Sequence, residues 1–384
     1  MKKKVCLVTS EIIGPHKNGG IGAHAYYLAQ VLAEKNYEVT VLYTGVCENK
    51  TSSYWIEYFK KIHIRYIQLD ELVKQNFAIY EGRWFIDRSQ FVYEFLQKND
   101  FDYIHFQEML ANGFKTIRAK KLFNEFSNTL LTVTMHSSIE WIKQAMNWVK
   151  SGPIFDPKLE WCERYCCENC DILISPSKYM IDWAIDNGWK LADNRKVIPY
   201  CFEESVKIAV NRDIDLKHLI FFGRLETRKG LEIFCDAVLQ ARHKYPDLID
   251  KVSFLGKIWF INDTKGDQYI INKLGKKGIN YEIFSDFSSF DALEYLKQQN
   301  GVAVMPSLME NFPYTVIESI ENNIFFIAST AGGIPELAND DILFEPNVNA
   351  LIDKIIHLDD IFNNKIIHKY SKEKAKKKWL ELHN

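Results

Sequence analysis

The strongest constraint on the fold is a repeated switch between two hydrophobic periods. Short runs rich in β-branched and aromatic residues alternate with longer stretches of helical period. The first series has strand-like runs at Val5–Thr9, Val39–Tyr43, Ile62–Ile67, Tyr103–Phe106, Leu130–Thr134 and Ile172–Ser175, with a last one ending at Pro199. Helical stretches fall at Ile21–Lys35, Arg88–Lys98 and Ile139–Asn169, the last interrupted near Ser151-Gly152-Pro153. A second series has strands at Leu219–Phe222, Val252–Leu255, Tyr281–Phe284, Val302–Met305 and Phe325–Ser329. Its helices are expected at Leu231–His243, Gln268–Leu274, Phe290–Gln298 and Pro313–Glu321, with Pro313 as the first helical residue. Alternation of this kind predicts α/β domains built on parallel sheets covered on both faces. Two series predict two doubly wound domains, residues 1–200 and 201–365, with a link near Tyr200–Lys217.

Length agrees: 384 residues make about two domains at roughly 150 each. The net charge of −2 offers no electrostatic footprint for nucleic acid. No apolar run approaches the roughly 18 residues that cross a bilayer. The start, Met1 to Val8, has a basic head but a far shorter apolar run than the about 7–15 residues of a secretory signal. The expectation is a cytoplasmic protein.

In an open α/β sheet, ligands bind at the carboxyl ends of the strands, and two such domains facing each other would form a cleft there. The loops at those ends carry the informative residues. Asn18-Gly19-Gly20-Ile21-Gly22 heads the first helix. Its glycines let main-chain N–H groups approach an anion at a helix N-terminus; the plain alternative is a flexible turn. A dinucleotide fingerprint fits poorly, because about ten residues separate this loop from its strand and Val41-Leu42-Tyr43-Thr44 ends without an acid for a ribose. Gly223-Arg224-Leu225-Glu226-Thr227-Arg228-Lys229-Gly230 links strand to helix in the second series. Arg224 and Lys229 could neutralise charge developing on a leaving diphosphate. In Pro306 to Glu318 a strand ends, a loop runs and a helix follows; Glu310 lies in the loop and Glu318 on the helix, and each carboxylate suits a sugar or ribose diol. The same helix N-terminus offers N–H groups to phosphate. Thr330-Ala331-Gly332-Gly333-Ile334-Pro335-Glu336 could wall the site with backbone. In the first series His136 and Glu108 follow strands, which predicts that they face the cleft as candidate acceptor-binding residues, His136 also as a candidate catalytic group.

Taken together, these segments resemble the retaining glycosyltransferases of family 4, which have the GT-B fold of two Rossmann-like domains about a central cleft. The resemblance runs over nearly the whole chain. Gly19, Gly20, Ile21 and Gly22 resemble the family's glycine loop near the donor phosphates. Arg224 and Lys229 resemble its phosphate-binding pair. Glu310 resembles the glutamate on the transferred sugar and Glu318 the one on the ribose. Asn311, Phe312, Pro313, Tyr314 and Thr315 fall in the same donor-binding segment. Ala331 to Glu336 match the loop that usually follows. His136 sits where the family has a histidine near sugar and acceptor, and residues 366–384 resemble the final helix that packs back on the first domain. Two departures stand out. Ser319-Ile320-Glu321-Asn322-Asn323 replaces the family's small residues and glycine, and Ile198 to Phe202 lacks a frequent Asn-Gly.

The resemblance implies transfer of a sugar from a nucleotide-sugar donor, by family habit a UDP-sugar, to a hydroxyl of a glycan, lipid-linked or polysaccharide acceptor. It implies retention of configuration, no cofactor and no essential metal. Asp100-Phe101-Asp102 reads as the polar lead-in to a strand. Two alternatives on the same fold are a nucleotide-sugar epimerase and a non-catalytic partner protein, and retention of Arg224, Lys229, Glu310 and Glu318 weighs against the second.

Cys162, Cys166, Cys167 and Cys170 crowd one predicted helix. Three share a face and Cys167 points about 100° away, so buried thiols fit better than a zinc site. Lys115, Arg118, Lys120 and Lys121, and Tyr54, Trp55, Tyr58 and Phe59 before Lys60-Lys61, leave two readings. One is a peripheral contact with an anionic membrane, at its inner face, or with a lipid-diphosphate acceptor; the other is a solvated face over buried aromatics.

Overall fold

The computed structural model describes residues 2–16, 19–73, 84–146, 157–203, 214–363 and 367–383. The chain forms two compact units, Met1–Glu203 with Lys372–Asn384, and Glu204–Ser371. Asn18, most of the expected link at Tyr200–Lys217 and the interruption near Gly152 lie outside the described residues.

The first unit holds β1 (Lys4–Thr9), α1 (Gly20–Glu34), β2 (Glu38–Tyr43), α2 (Ser52–Lys61), β3 (Ile64–Gln68), α3 (Leu69–Val73) and α4 (Trp84–Gln97). It continues with β4 (Tyr103–Gln107), α5 (Phe114–Phe123), β5 (Leu130–Thr134), α6 (Ile139–Ala145), α7 (Pro157–Asn169), β6 (Ile172–Ser175), α8 (Lys178–Asp186) and β7 (Arg195–Val197). All seven strands run parallel in the order β3-β2-β1-β4-β5-β6-β7. The strand order reverses between β1 and β4, which opens a crevice at their carboxyl ends.

The second unit holds β8 (Asp215–Phe222), α9 (Leu231–Lys244), β9 (Lys251–Leu255), a hairpin of β10 (Phe260–Ile261) and β11 (Thr264–Lys265), α10 (Gly266–Leu274), β12 (Tyr281–Phe284) and α11 (Ser289–Gln299). Then come β13 (Gly301–Met305), α12 (Tyr314–Glu321), β14 (Phe326–Ser329), β15 (Leu343–Phe344), α13 (Val348–Ile356) and α14 (Leu358–Asn363). Its main sheet is parallel in the order β12-β9-β8-β13-β14-β15, with the switch point between β8 and β13. Central strands such as β13 are buried along their whole length, as expected of parallel strands covered on both faces.

The last helix, α15 (Lys372–Leu382), belongs to the first unit. Trp379 is fully buried, and its Nε1 donates to the Pro199 carbonyl at 2.8 Å. A chain of hydrogen bonds fixes the end of this helix. The Trp379 carbonyl accepts from His383 Nδ1 at 2.7 Å, so His383 Nε2 accepts from His105 Nε2 at 2.8 Å when both rings are neutral. His105 Nδ1 then accepts from the Thr132 hydroxyl at 2.6 Å. Burial lowers the pKa of both imidazoles, which favours this neutral pair.

Three element boundaries differ from expectation for local reasons. The strand expected from Ile62 begins at Ile64, because Ile62 caps α2 and His63 takes a left-handed φ of 60°. Pro313 is the N-cap of α12, with ψ 126°, and Tyr314 is the first helical residue. The long helical stretch Ile139–Asn169 contains two helices, α6 and α7. The hairpin, β15, α13 and α14 were not expected from the periodicity.

Candidate active site

In the second unit the site builds from the two loops at the switch point. The β8 strand delivers Gly223 and Arg224 to its carboxyl end. A single 3₁₀ turn, Thr227–Lys229, then leads to Gly230, the N-cap of α9. Gly230 has φ 75°, and a Cβ there would stand 1.8 Å from the Pro306 carbonyl oxygen. Only glycine allows this approach, and it presses the loop after β8 against the loop after β13.

That contact brings a dense charge cluster together. Lys229 Nζ is paired with Glu310 Oε1. Arg228 Nη1 lies 3.1 Å from the same oxygen, and Arg228 Nη2 lies 2.9 Å from Glu226 Oε1. Arg228 also donates to the Met309 carbonyl at 3.2 Å, and its own carbonyl accepts from Leu308 N at 2.8 Å. The Ser307 hydroxyl donates to Glu310 Oε1 at 3.1 Å. Glu226, Arg228 and Glu310 are each less than a tenth exposed. Arg224 differs: its side chain is 49 % exposed, with its guanidinium 3.6 Å from Glu226. The cluster thus offers one solvent-facing guanidinium, Arg224, and one partly buried ammonium, Lys229.

Burial alone would raise the Glu310 carboxyl, but Lys229 and Arg228 outweigh it and hold it at about 2. Glu310 is therefore charged at every working pH. Burial lowers the Lys229 ammonium, and Glu310 opposes that shift. Glu310 is compensated by two cations at once, so the loss of either one leaves the other in place.

The loop after β14 closes this cluster from behind. Gly333 N donates to the Glu310 carbonyl at 2.9 Å, and Ser329 Oγ donates to the Ser307 carbonyl at 2.6 Å. Gly332 has φ 63°, and a Cβ there would stand 1.9 Å from the Glu310 carbonyl oxygen. Gly332→Ala is expected to cost at least about 1–3 kcal/mol from the backbone conformation alone, and the clash adds to it by shifting Glu310. Urea unfolding checks this; an unchanged midpoint would contradict it.

Glu318 lies on α12, where burial pushes its carboxyl up to about 8 and Lys229 draws it back. The ordinary value is 4.5. Between these two pH values the unfolded chain releases a proton that the folded chain keeps, so stability falls as pH rises. Glu318→Gln is expected to melt above the wild type at pH 8, with the gap closing towards pH 4.5. A gap independent of pH would contradict the assignment. Asn311, Phe312, Pro313 and Tyr314 are buried and Thr315 partly so, with the Phe312 ring 6.3 Å from that of Tyr370. At the start of α12, Val316 N and Ile317 N turn back to the Pro313 carbonyl, at 3.2 and 3.4 Å, and the N–H groups ahead of them have no intrahelical acceptor.

In the first unit, Gly19 is the N-cap of α1, and Gly20, Ile21 and Gly22 form its first turn. The Glu11 carboxylate lies against Gly19, where a Cβ would meet Glu11 Oε2 at 2.0 Å.

His136 and Glu108 come together, but not in the outward-facing manner expected of residues at strand ends. His136 is 4 % exposed. Its Nε2 bonds to Gln107 Oε1 and its Nδ1 to the Tyr200 hydroxyl. With the Gln107 carbonyl accepting, His136 Nε2 carries the proton and the Tyr200 hydroxyl donates to Nδ1. Burial pushes the imidazole down to about 3, so the ring is neutral with both nitrogens engaged. Glu108 is 1 % exposed, and its Oε1 accepts from the main-chain N–H groups of His136, at 2.6 Å, and Ser137. Burial raises its carboxyl to about 7.

The sequence offered no signal for Arg228 and Glu226, which read as ordinary loop charges. Cys162, Cys166, Cys167 and Cys170 are buried. No group of three or more potential metal ligands occurs among the described residues. Trp55 and Phe59 are buried, Tyr58 bonds Tyr26 at 2.9 Å, and Lys120 pairs with Asp171 at 2.6 Å. No helix among the described residues is long and apolar enough to cross a membrane.

Comparison with known proteins agrees with this architecture. Residues 18–201 match the family described as Glycosyltransferase Family 4, and residues 204–378 match Glycosyl transferases group 1. One subunit of the human phosphatidylinositol N-acetylglucosaminyltransferase is 23% identical over 358 residues, covering 90% of this chain; the chain spans 66% of that relative's length. Among solved structures, sucrose-phosphate synthase from Thermosynechococcus elongatus has a TM-score of 0.68 at 20% identity, covering 100% of this chain and 95% of its own. A variant of S. aureus TarM in complex with Fondaparinux, alpha-GlcNAc-glycerol and UDP has a TM-score of 0.67 at 11% identity, covering 100% of both chains. The catalytic domain of Starch Synthase IV from Arabidopsis thaliana, bound to ADP and acarbose, has a TM-score of 0.63 at 12% identity, covering 100% of this chain and 94% of its own. At these identities the structural likeness speaks for the fold. Two family matches that together span nearly the whole chain, on two parallel Rossmann-like sheets, make this chain a member of the family 4, group 1 glycosyltransferases with the GT-B fold.

Proposed function

We propose that this protein is a retaining, metal-independent glycosyltransferase. It takes a sugar from a nucleotide-sugar donor, a UDP-sugar by family habit, and places it on a hydroxyl of a glycan, lipid-linked or cell-surface polysaccharide acceptor. The second unit binds the donor, and the first unit, with α15, binds the acceptor. The reaction runs in the cytoplasm, at the inner face of the membrane when the acceptor is lipid-linked. The observation that carries this reading is the charge cluster at the β8–β13 switch point. There Lys229 is paired with Glu310, and Arg224, half exposed, stands 3.6 Å from Glu226.

In this reading the diphosphate lies between Arg224, Lys229 and the N-terminus of α12, and Gly19, Gly20, Ile21 and Gly22 keep the donor-phosphate role that the family resemblance gives them. Glu310 takes hydroxyls of the transferred sugar, and Glu318 takes those of the ribose. The bond between the sugar's anomeric carbon and the diphosphate breaks, and the diphosphate leaves with the electron pair. The acceptor hydroxyl attacks from the face that the diphosphate vacates, and its proton passes to the departing oxygen. Configuration is therefore retained. The protein's main contribution is stabilisation of the leaving group by fixed cations and N–H dipoles, which makes a metal dispensable. His136 and Glu108 set the backbone of the acceptor side.

The test is incubation with UDP-, GDP-, ADP- and CMP-sugars and a panel of glycan and lipid-linked acceptors, in the presence of a chelator. The product's anomeric configuration is read by NMR. A product with the donor's configuration is expected. An inverted product, or transfer abolished by the chelator, would contradict the mechanism. Turnover of the nucleotide sugar to an isomer without any acceptor would favour an epimerase.

A further inference from the structure

The loops after β4 and β5 are joined by two buried carboxylates. Glu163, on α7, is fully buried. Its Oε1 accepts from Leu110 N at 2.9 Å, in the loop after β4. Its Oε2 accepts from Ile139 N at 2.8 Å, the first residue of α6, which follows β5. Glu108 ties the same two loops from the other side through the N–H groups of His136 and Ser137, while its own N–H donates to the Thr134 carbonyl at 3.0 Å.

The loop that Glu163 holds is strained. Leu110 and Ala111 take left-handed φ values of 64° and 47°, a conformation that residues with a side chain adopt only when their surroundings impose it. Neither carboxylate is ion-paired with a lysine or arginine among the described residues. Their donors are main-chain N–H groups instead, and Glu108 Oε2 has no hydrogen-bond partner among the described residues. Burial pushes the Glu163 carboxyl upward, and its two N–H donors oppose that push. An apolar residue would fill this space without the desolvation penalty. It could not accept an N–H from two loops at once.

We propose that Glu163 is a positioning residue for the acceptor side, where its two oxygens lock the strained loop after β4 to the loop after β5 and so set the backbone around His136 and Glu108. This rests on the assignment of the acceptor to the first unit.

The test uses the full chain. In the wild type, amide hydrogen exchange read by NMR should show Leu110 N–H and Ile139 N–H protected by at least about 100-fold over an unstructured peptide. Glutamine has one acceptor oxygen, so in Glu163→Gln one of these amides should lose about tenfold or more of its protection. The acceptor KM should rise about tenfold, with the donor KM within about twofold. Glu163→Asp keeps both oxygens one methylene further back, and should give smaller losses of the same kind. Free-peptide exchange at either amide in the wild type would overturn the proposal, whether or not a variant folds. So would unchanged protection and acceptor KM in Glu163→Gln, or a parallel rise of donor and acceptor KM, which marks a purely structural role. If the wild type transfers no sugar at all, the functional reading fails, and the exchange measurement still decides whether Glu163 locks the loops.

Discussion

Lys229→Ala is expected to lower turnover by at least about 100-fold, the loss that follows removal of one fixed electrostatic donor at a developing charge. The ammonium is partly buried against Glu310, on a turn that Gly230 presses onto the loop after β13. Its place is therefore set before any ligand arrives, which is the condition under which such a group acts at full strength. The variant should keep its fold. Glu310 retains Arg228 at 3.1 Å and the Ser307 hydroxyl at 3.1 Å, so its charge is not left alone. The check is kcat with saturating donor, alongside a thermal melt to confirm that the fold is intact. Turnover close to wild type would remove Lys229 from the leaving-group site.

Glu310→Gln should separate chemistry from nucleotide binding. The carboxylate is held at about 2, so the wild type always presents a full negative charge here. Glutamine keeps the shape and removes the charge. A sugar hydroxyl loses its strong acceptor, and turnover should fall about 100-fold. The affinity for a free nucleoside diphosphate should stay the same or tighten, because a negative charge near the phosphates has gone while Lys229 and Arg228 remain. Calorimetric titration with the diphosphate, set beside kcat, reads both quantities. Parallel loss of binding and turnover would place Glu310 on the nucleotide instead of the sugar.

Much of the fold was legible because parallel strands covered on both faces must be apolar throughout, and runs such as Val302–Met305 show that plainly. Loops at strand ends stood out by glycine and charge. What escaped notice depends on contacts remote in sequence. Arg228 and Lys229 are neighbours, and nothing local says that both turn inward; that follows from Glu310, 81 residues away from Lys229. His136 reads as a residue on offer at a strand end, yet Tyr200, 64 positions later, takes up its ring nitrogen. Glu163 did leave a trace. It shares the buried face of α7 with Leu159, Cys162 and Cys166, and an acid among apolar positions in a helix marks a buried hydrogen-bonding task. The β10–β11 hairpin is too short to impose any period on the sequence.

The most direct test of the donor site is a thermal-shift titration of the wild type and Lys229→Ala with UDP, GDP, ADP and CMP. The account predicts that one nucleotide stabilises the wild type selectively, in a concentration-dependent way, and that Lys229→Ala loses most of that shift. No stabilisation by any of the four at millimolar concentration, or an equal shift in both proteins, would contradict a nucleotide-sugar site at the β8–β13 switch point.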